Sequence, residues 1–106
     1  MSSSLLMVFF VCFQDPPKHD NKSCPTSYYY EVFRVSKQLS ICCPVSGYPP
    51  PIVTWKKNGI QLQKGMKNKL IITPVKGKAF GIYTCTASDG VHTVGPFIIS
   101  VIKKSW

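Results

Sequence analysis

Residues 40–55 read "SICCPVSGYPPPIVTW", a stretch that places two cysteines side by side and ends on a tryptophan. From position 39 to position 46, apolar residues recur at every second position, which is the period expected for a half-buried strand. Neighbouring side chains of a strand point to opposite faces. The pattern therefore predicts that Cys43 faces a core together with Ile41, whereas Cys42 faces away from that core.

The rest of the chain contains further short extended segments that are separated by turn residues. Asn58-Gly59 and Asp89-Gly90 are hairpin signals between segments rich in β-branched and aromatic residues. In "GIYTCTAS", residues 81–88, Tyr83 and Cys85 share one face of a predicted strand. No segment sustains helical spacing over ten residues. The sequence therefore predicts an all-β fold, a β-sandwich of about seven strands.

Length, charge and cysteine content narrow the class of protein. The chain has 106 residues, of which 44% are hydrophobic, so it is long enough for one domain with a core of its own. Thirteen basic residues face four acidic ones, and such a surface attracts anionic partners. Five cysteines in a short chain indicate an oxidising compartment.

The first residues resemble a secretion signal. Nine apolar residues, 5–13, are too few to cross a bilayer but suit the apolar region of a signal peptide. We predict a signal peptide over 1–14, an exposed linker over 15–23 and a single domain over 24–104; a buried or disordered strand is the alternative for the first segment. Its removal leaves four cysteines, as in a secreted protein or the ectodomain fragment of a membrane protein. No transmembrane segment is predicted in this chain.

Four spaced elements resemble an immunoglobulin superfamily domain. The stretch from Cys43 to Trp55, twelve residues later, is similar to its strands B and C, and Leu70-x-Ile72 is similar to its strand E. Gly81-x-Tyr83-x-Cys85 is similar to its strand F. Only fifteen residues separate the tryptophan from the leucine, so the resemblance points to the intermediate-type or C2-type set. It implies an immunoglobulin-like Greek-key sandwich.

The resemblance also implies how the cysteines pair. In this family a disulfide joins the two sheets and the tryptophan packs against it, which assigns a core bridge between Cys43 and Cys85. The first strand of the family would place Cys24 next to strand B, so a second bridge between Cys24 and Cys42 is plausible in distance. An intermolecular or free thiol is the alternative for this second pair.

Two features of the predicted surface suggest modification or anion binding. Asn21-Lys22-Ser23 is an N-glycosylation sequon in the predicted linker. A group of basic residues lies between strands C and E and is a candidate binding site for sulfated glycans. Its members are Lys56, Lys57, Lys64, Lys67 and Lys69. Scattered lysines that only confer solubility are the alternative interpretation.

A third candidate is one face of the predicted sheet of strands C, F and G. The residues that alternate with the inward-facing ones are small or apolar and carry little charge, which suits protein recognition. Related domains use this sheet in adhesion. The candidate interface consists of Thr54, Thr84, Thr86 and Ile98.

Catalysis is the function that the sequence supports least. No nucleophile lies at a useful spacing from a base, and the two histidines share no metal-ligand spacing with the cysteines. We therefore expect no enzyme, no cofactor, no metal site and no nucleic-acid partner. The leading hypothesis is an extracellular recognition or adhesion module that binds a protein partner. The alternatives are a binder of heparin-like glycans and a structural spacer of a multidomain protein.

Overall fold

A computed structural model describes residues 15–24, 29–32, 38–73 and 77–103. In this part of the chain the strands form two layers that face each other across a common core. The arrangement confirms the predicted all-β sandwich. The signal peptide predicted over 1–14 lies outside the described residues.

The larger layer is a five-stranded sheet in the order β2-β9-β8-β5-β6. All neighbours in it are antiparallel except β2, which runs parallel to β9. The tight turn between β5 and β6 is Asn58-Gly59, whose φ angles of 53° and 78° suit the hairpin turn predicted there. The five strands are β2 Tyr29–Val32, β5 Ile52–Lys57, β6 Ile60–Gly65, β8 Gly81–Ser88 and β9 Thr93–Lys103.

The second layer consists of two antiparallel pairs. Strand β1 (Asp15–His19) pairs with β4 (Val45–Tyr48), and β3 (Leu39–Cys42) pairs with β7 (Lys69–Ile72). The sequence predicts one continuous strand over 39–46, but the structure divides it between β3 and β4. Pro44 has no amide hydrogen and cannot continue the ladder. The chain bends there instead, and the Val45 amide donates to the Cys43 carbonyl at 2.8 Å.

The core lies between the layers and follows the alternation of the strands. Inward-facing aliphatic residues, two half-cystines, a tryptophan and a tyrosine fill it. Apolar burial of this extent is the main stabilising contribution to such a domain. Its buried members are Val32, Ile41, Cys43, Val45, Val53, Trp55, Leu70, Ile72, Tyr83, Cys85, Ala87, Ile99 and Val101.

The prediction of an exposed linker over 15–23 does not agree with the structure, in which this segment forms a strand and a short helix. Strand β1 pairs with β4 through the register Lys18 to Ser46 and His19 to Val45, and Pro17 is buried. A short 3₁₀ helix, Asn21–Ser23, follows. Prolines made this segment look unstructured, but an edge strand can place a proline where no ladder hydrogen bond is needed. Residues 15–24 are therefore part of the described fold.

Candidate functional site

The four residues of the predicted interface lie together on one face of the five-stranded sheet. Inward burial of Tyr83 and Cys85 turns Thr84 and Thr86 outward along β8. Strand register then places Thr86 opposite Thr54 on β5, and Thr84 opposite Ile98 on β9. We call this surface the outer sheet face; it consists of Thr54, Lys56, Lys64, Ile82, Thr84, Thr86 and Ile98.

Two isoleucines give the outer sheet face an apolar centre. Ile98 is 58% exposed and Ile82 is 56% exposed, on neighbouring strands. Ile82 pairs with Ser100, two positions along the ladder from the Thr84–Ile98 pair and on the same face. Ile82 is not among the residues predicted for the interface. Its position directly before the inward-facing Tyr83 nevertheless indicates an outward-facing side chain. Clustered exposed apolar residues within a polar surround are typical of interaction surfaces.

The charge of this face is positive. The chain has no acidic residue between Glu31 and Asp89, so strands β3 to β8 carry only basic charge. Lys56 pairs with Thr84, and Lys64 pairs with Thr54. Glu31, on the edge strand β2, pairs with Ile102 of β9 and therefore lies at the margin of this face. Carboxylates at the apolar centre of the face are therefore absent among the residues whose structure is described.

Two further acidic side chains, Asp15 and Asp20, serve local structure near β1. The Asp15 carboxylate lies 3.3 Å from the Lys18 ammonium. Asp20 accepts a hydrogen bond from the Lys22 amide at 2.9 Å, and this bond is the main reason that the pKa of Asp20 is lowered. Because these carboxylates are engaged near β1, they do not neutralise the lysines of the outer sheet face.

The lysines of the predicted anion-binding group are distributed over different surfaces. Lys56 and Lys64 belong to the outer sheet face. Lys69 pairs with Cys42 in the second layer, and Lys67 lies in the connection between β6 and β7. A sulfated glycan needs several cations along one surface. Of these lysines, Lys56 and Lys64 share one face, whereas Lys69 lies in the other layer.

The fifth lysine of that group, Lys57, is held by the protein itself. Its ammonium donates a hydrogen bond to the Lys78 carbonyl and lies 5.5 Å from the centre of the Tyr83 ring, a cation–π contact. A Cβ at Gly81 would lie 3.2 Å from the Lys57 Cε atom, so the glycine leaves room for this side chain. Lys57 therefore ties β5 to the turn before β8 and is not available as a free cation.

Three residues of the family pattern, Trp55, Leu70 and Tyr83, lie in the core beneath the outer sheet face. Trp55 is fully buried, Leu70 is buried opposite it in the second layer, and the Tyr83 hydroxyl donates to the Ala79 carbonyl. Burial raises the pKa of Tyr83. This hydrogen bond holds the turn that precedes β8, as the family resemblance implies for its tyrosine.

Both cysteine pairs that the resemblance implies are bonded in the structure. Cys43 and Cys85 join the two layers with a Cα–Cα distance of 6.1 Å, and Cys24 and Cys42 are joined with a Cα–Cα distance of 5.9 Å. Cys42 faces away from the central core, as the alternation predicts, and is only 6% exposed. The Cys24 half of the bridge and the nearby Asn68 amide, 3.5 Å from its sulfur, cover it.

The loop between β8 and β9 is ordered by its own aspartate. The Asp89 carboxylate accepts hydrogen bonds from the amides of His92, at 2.7 Å, and Val91, at 2.9 Å. These amides, His92 first, are the main reason that the pKa of Asp89 is lowered. The loop borders a concavity of about 460 Å³ beside the outer sheet face. Its lining residues are Pro49, Pro50, Ile52, Thr54, Lys64, Ser88, Asp89 and Gly90.

Acidification is expected to loosen this loop only at low pH. The folded state lowers the pKa of Asp89. The Asp89 carboxylate therefore stabilises the loop fully above the ordinary aspartate pKa, and this stabilisation is lost as pH falls through the lowered pKa. The amide chemical shifts of Val91 and His92 should titrate with a midpoint below that of an unfolded aspartate. Asp89→Asn should abolish this titration. A midpoint at or above the ordinary aspartate pKa would contradict the assignment.

Two other kinds of site find no support in the described residues. Across 15–24, 29–32, 38–73 and 77–103, no three side chains of the metal-ligating types come together. Among the same residues, no helix has the length and apolar character needed to cross a membrane. The outer sheet face and its adjoining loop are thus the candidate binding surface.

Comparison with known proteins identifies the family. A family model described as "Immunoglobulin domain" matches residues 16–89, most of the chain. Fibroblast growth factor receptor-like 1 of Homo sapiens is 31% identical over 71% of this chain and 15% of its own length. Protein turtle homolog A of Mus musculus is 37% identical over 77% of this chain and 6% of its own length. The chain thus spans only a small part of these curated relatives.

Solved structures agree on the fold. A chain in the crystal structure of Dpr2 Ig1-Ig2 in complex with DIP-Theta Ig1-Ig3 has a TM-score of 0.65 and 26% identity, over 85% of this chain and 32% of that chain. The titin Ig tandem domains A164-A165 give a TM-score of 0.68 at 22% identity, over 88% and 51%. The resemblance inferred from the sequence is confirmed: this chain belongs to the immunoglobulin domain family.

Proposed function

We propose that this chain is an extracellular recognition module that binds an acidic protein surface through its outer sheet face. The observation that carries the proposal is the exposure of Ile82 and Ile98 on neighbouring strands, with Lys56 and Lys64 on the same face and carboxylates absent from its described centre. An apolar centre with polar surroundings is the usual anatomy of a protein interface.

The side chains of this face suit binding at low entropic cost. Threonine and isoleucine have few rotatable bonds and lose less freedom on contact than long flexible side chains do. The lysines contribute differently, because they raise the rate of encounter with a negatively charged partner and disfavour a basic one. Affinity would therefore come from the apolar centre, and selectivity from the charges around it.

The scaffold behind the face keeps it rigid. Thr84 and Thr86 flank Cys85, which is bonded to the opposite layer. Interfaces on such preorganised sheets change little in backbone conformation when a partner binds. Two disulfides in a small domain also fit an oxidising, extracellular compartment, either as a secreted chain or as part of a larger ectodomain.

A relative gives this proposal further support. The Dpr2 and DIP-Theta structure, at 26% identity to this chain, is a complex between proteins with immunoglobulin domains. A fibroblast growth factor receptor-like protein is also among the relatives. Both are consistent with a role for this domain in protein recognition.

Substitution at the outer sheet face is expected to weaken partner binding. A multimerised form of the full chain can be screened against arrayed extracellular proteins, and the affinity of the recovered partner measured for variants. We expect Ile98→Asp and Thr86→Asp each to weaken binding by at least about tenfold, roughly 1.4 kcal/mol. Ile98→Asp places a negative charge against the acidic partner and removes apolar contact area.

The matched control is Ile71→Asp. Ile71 is 55% exposed, close to the 58% of Ile98, but it lies on β7 in the second layer opposite Ser40. It should leave binding unchanged in a folded protein. The proposal is wrong if the two outer-face variants bind normally, or if Ile71→Asp alone removes binding.

A further inference from the structure

Asn21 lies in an exposed turn directly after the first strand. Asp20 precedes the 3₁₀ helix Asn21–Ser23 as its N-cap, and both Asn21 and Lys22 are exposed. Asn21-Lys22-Ser23 has the Asn-x-Ser form that N-linked glycosylation requires, with a residue other than proline in the middle. We propose that Asn21 carries an N-linked glycan; the inference rests on the extracellular location proposed above.

The fold makes no use of the Asn21 side chain among the described residues. The turn is closed by other groups: the Lys22 amide donates to the Asp20 carboxylate at 2.9 Å, and the Ser23 amide donates to the Asp20 carbonyl at 3.2 Å. Asn21 contributes its backbone carbonyl, which accepts from the Cys24 amide at 3.4 Å. Its side-chain nitrogen can therefore be substituted without loss of a described contact.

The other two asparagines provide a contrast within the same chain. Asn58 occupies the tight turn between β5 and β6 with a positive φ of 53°. The Asn68 side chain donates to the Cys43 carbonyl at 3.2 Å and contacts the Cys42 sulfur. Neither is followed two residues later by serine or threonine. Only Asn21 combines a sequon with an exposed side chain that the described fold does not use.

The modification is a group transfer from a lipid-linked oligosaccharide diphosphate. The new bond joins the Asn21 side-chain nitrogen to the anomeric carbon of the first sugar. The bond that breaks joins that carbon to the diphosphate, which leaves with the lipid and keeps the bonding electron pair. The nitrogen loses one proton, and no electron donor or acceptor is needed.

The position of Asn21 determines which surface the glycan would cover. The preceding Asp20 amide donates to the Pro44 carbonyl at 2.8 Å, where strand β3 gives way to β4. Three residues later, Cys24 is bonded to Cys42 in the same layer. A glycan at this point projects beside the second layer and the Cys24–Cys42 bridge. The outer sheet face, on the opposite layer, stays open to a partner.

The test is to express the full chain in a mammalian secretory system and measure intact mass before and after peptide-N-glycosidase F. We expect a glycan mass on the wild-type chain that the enzyme removes, leaving aspartate at position 21 in a peptide map. Asn21→Gln and Ser23→Ala should lose this mass, whereas Lys22→Ala and Ser23→Thr, which preserve the sequon, should keep it. Asn21→Gln should also bind the screened partner with wild-type affinity, because the glycan lies on the other layer.

The outcomes separate the two proposals. A secreted, doubly disulfide-bonded chain without sugar overturns the glycan and leaves the recognition function intact. A glycan that persists in Asn21→Gln overturns the assignment of the site. A chain that stays in the cytosol with reduced cysteines overturns both. Ser23→Ala also removes a hydroxyl that donates to the Asp20 carbonyl at 2.7 Å, so it can disturb the turn as well as the sequon. Asn21→Gln is therefore the decisive variant for loss of the glycan without a change in the fold.

Discussion

The double variant Cys43→Ala/Cys85→Ala is expected to lose about 4 kcal/mol of unfolding free energy, by the chain-entropy estimate for a loop of this length. The two cysteines are 42 residues apart and fully buried between the layers. Small domains have a total stability of only about 5–15 kcal/mol, so this loss amounts to between about a quarter and four-fifths of the total. Both cysteines are replaced together, which avoids a free thiol in the core.

The matched control for this loss is Cys24→Ala/Cys42→Ala. This bridge spans 18 residues and lies outside the central core, so the same estimate gives roughly 3 kcal/mol without a core cavity. Denaturant unfolding followed by far-UV circular dichroism would measure both variants. Equal midpoints for the wild type and the Cys43→Ala/Cys85→Ala variant would refute a stabilising role for the inter-sheet bridge. A larger loss of unfolding free energy in Cys24→Ala/Cys42→Ala than in Cys43→Ala/Cys85→Ala would contradict the expected order.

The strand pattern of this chain could be predicted because burial follows a period of two. Cys43 and Trp55 occupy the inward positions that the alternation around residues 39–55 assigns to them. The outward position of Thr84 and Thr86 follows from the same rule applied to Tyr83. Such a rule assigns the face of a residue once the strand is known. It requires no information about the neighbouring strands.

Features that depend on a second element could not be predicted in this way. Ile60 is 66% exposed and Leu62 is 48% exposed, because β6 is an edge strand with an irregular register opposite Trp55 and no described strand covers it. Lys57 looks like a solvated cation in the sequence, yet the turn before β8 supplies a carbonyl and Tyr83 supplies a ring for it. Hydrophobicity and charge alone do not reveal such partners.

The segment before Cys24 illustrates the same limit for an entire strand. Two adjacent prolines and several polar residues made 15–23 look like a linker, because local propensity opposes a central strand there. The structure instead pairs Asp15–His19 with β4, and the His19 ring stacks on Phe97 at 5.3 Å between centroids. Pairing across the sheet and this ring contact outweigh a weak local preference. Neither contact is visible from the segment itself.

Trp55→Ala is expected to lower the free energy of unfolding by about 3–5 kcal/mol. Trp55 is fully buried, and Val53 and Cys85 on adjoining positions are buried with it, so truncation leaves a cavity that a disulfide-constrained core cannot easily close. Its indole nitrogen is buried without a hydrogen-bond partner in the structure. An unsatisfied buried donor costs about 1–3 kcal/mol. Trp55 therefore stabilises the core through its volume and not through its N–H.

This reasoning separates two substitutions at the same position. Trp55→Phe removes the unpaired indole N–H and leaves most of the ring volume. Its loss of unfolding free energy should therefore be less than half that of Trp55→Ala. The control is Tyr48→Ala, which truncates an aromatic residue that is 61% exposed and should change stability by no more than about 0.5 kcal/mol. Equal losses for the phenylalanine and alanine variants would show that the N–H, not the volume, is what the core requires. Partner affinity per folded molecule should be unchanged in Trp55→Phe, because the outer sheet face lies on the other side of the sheet from this residue.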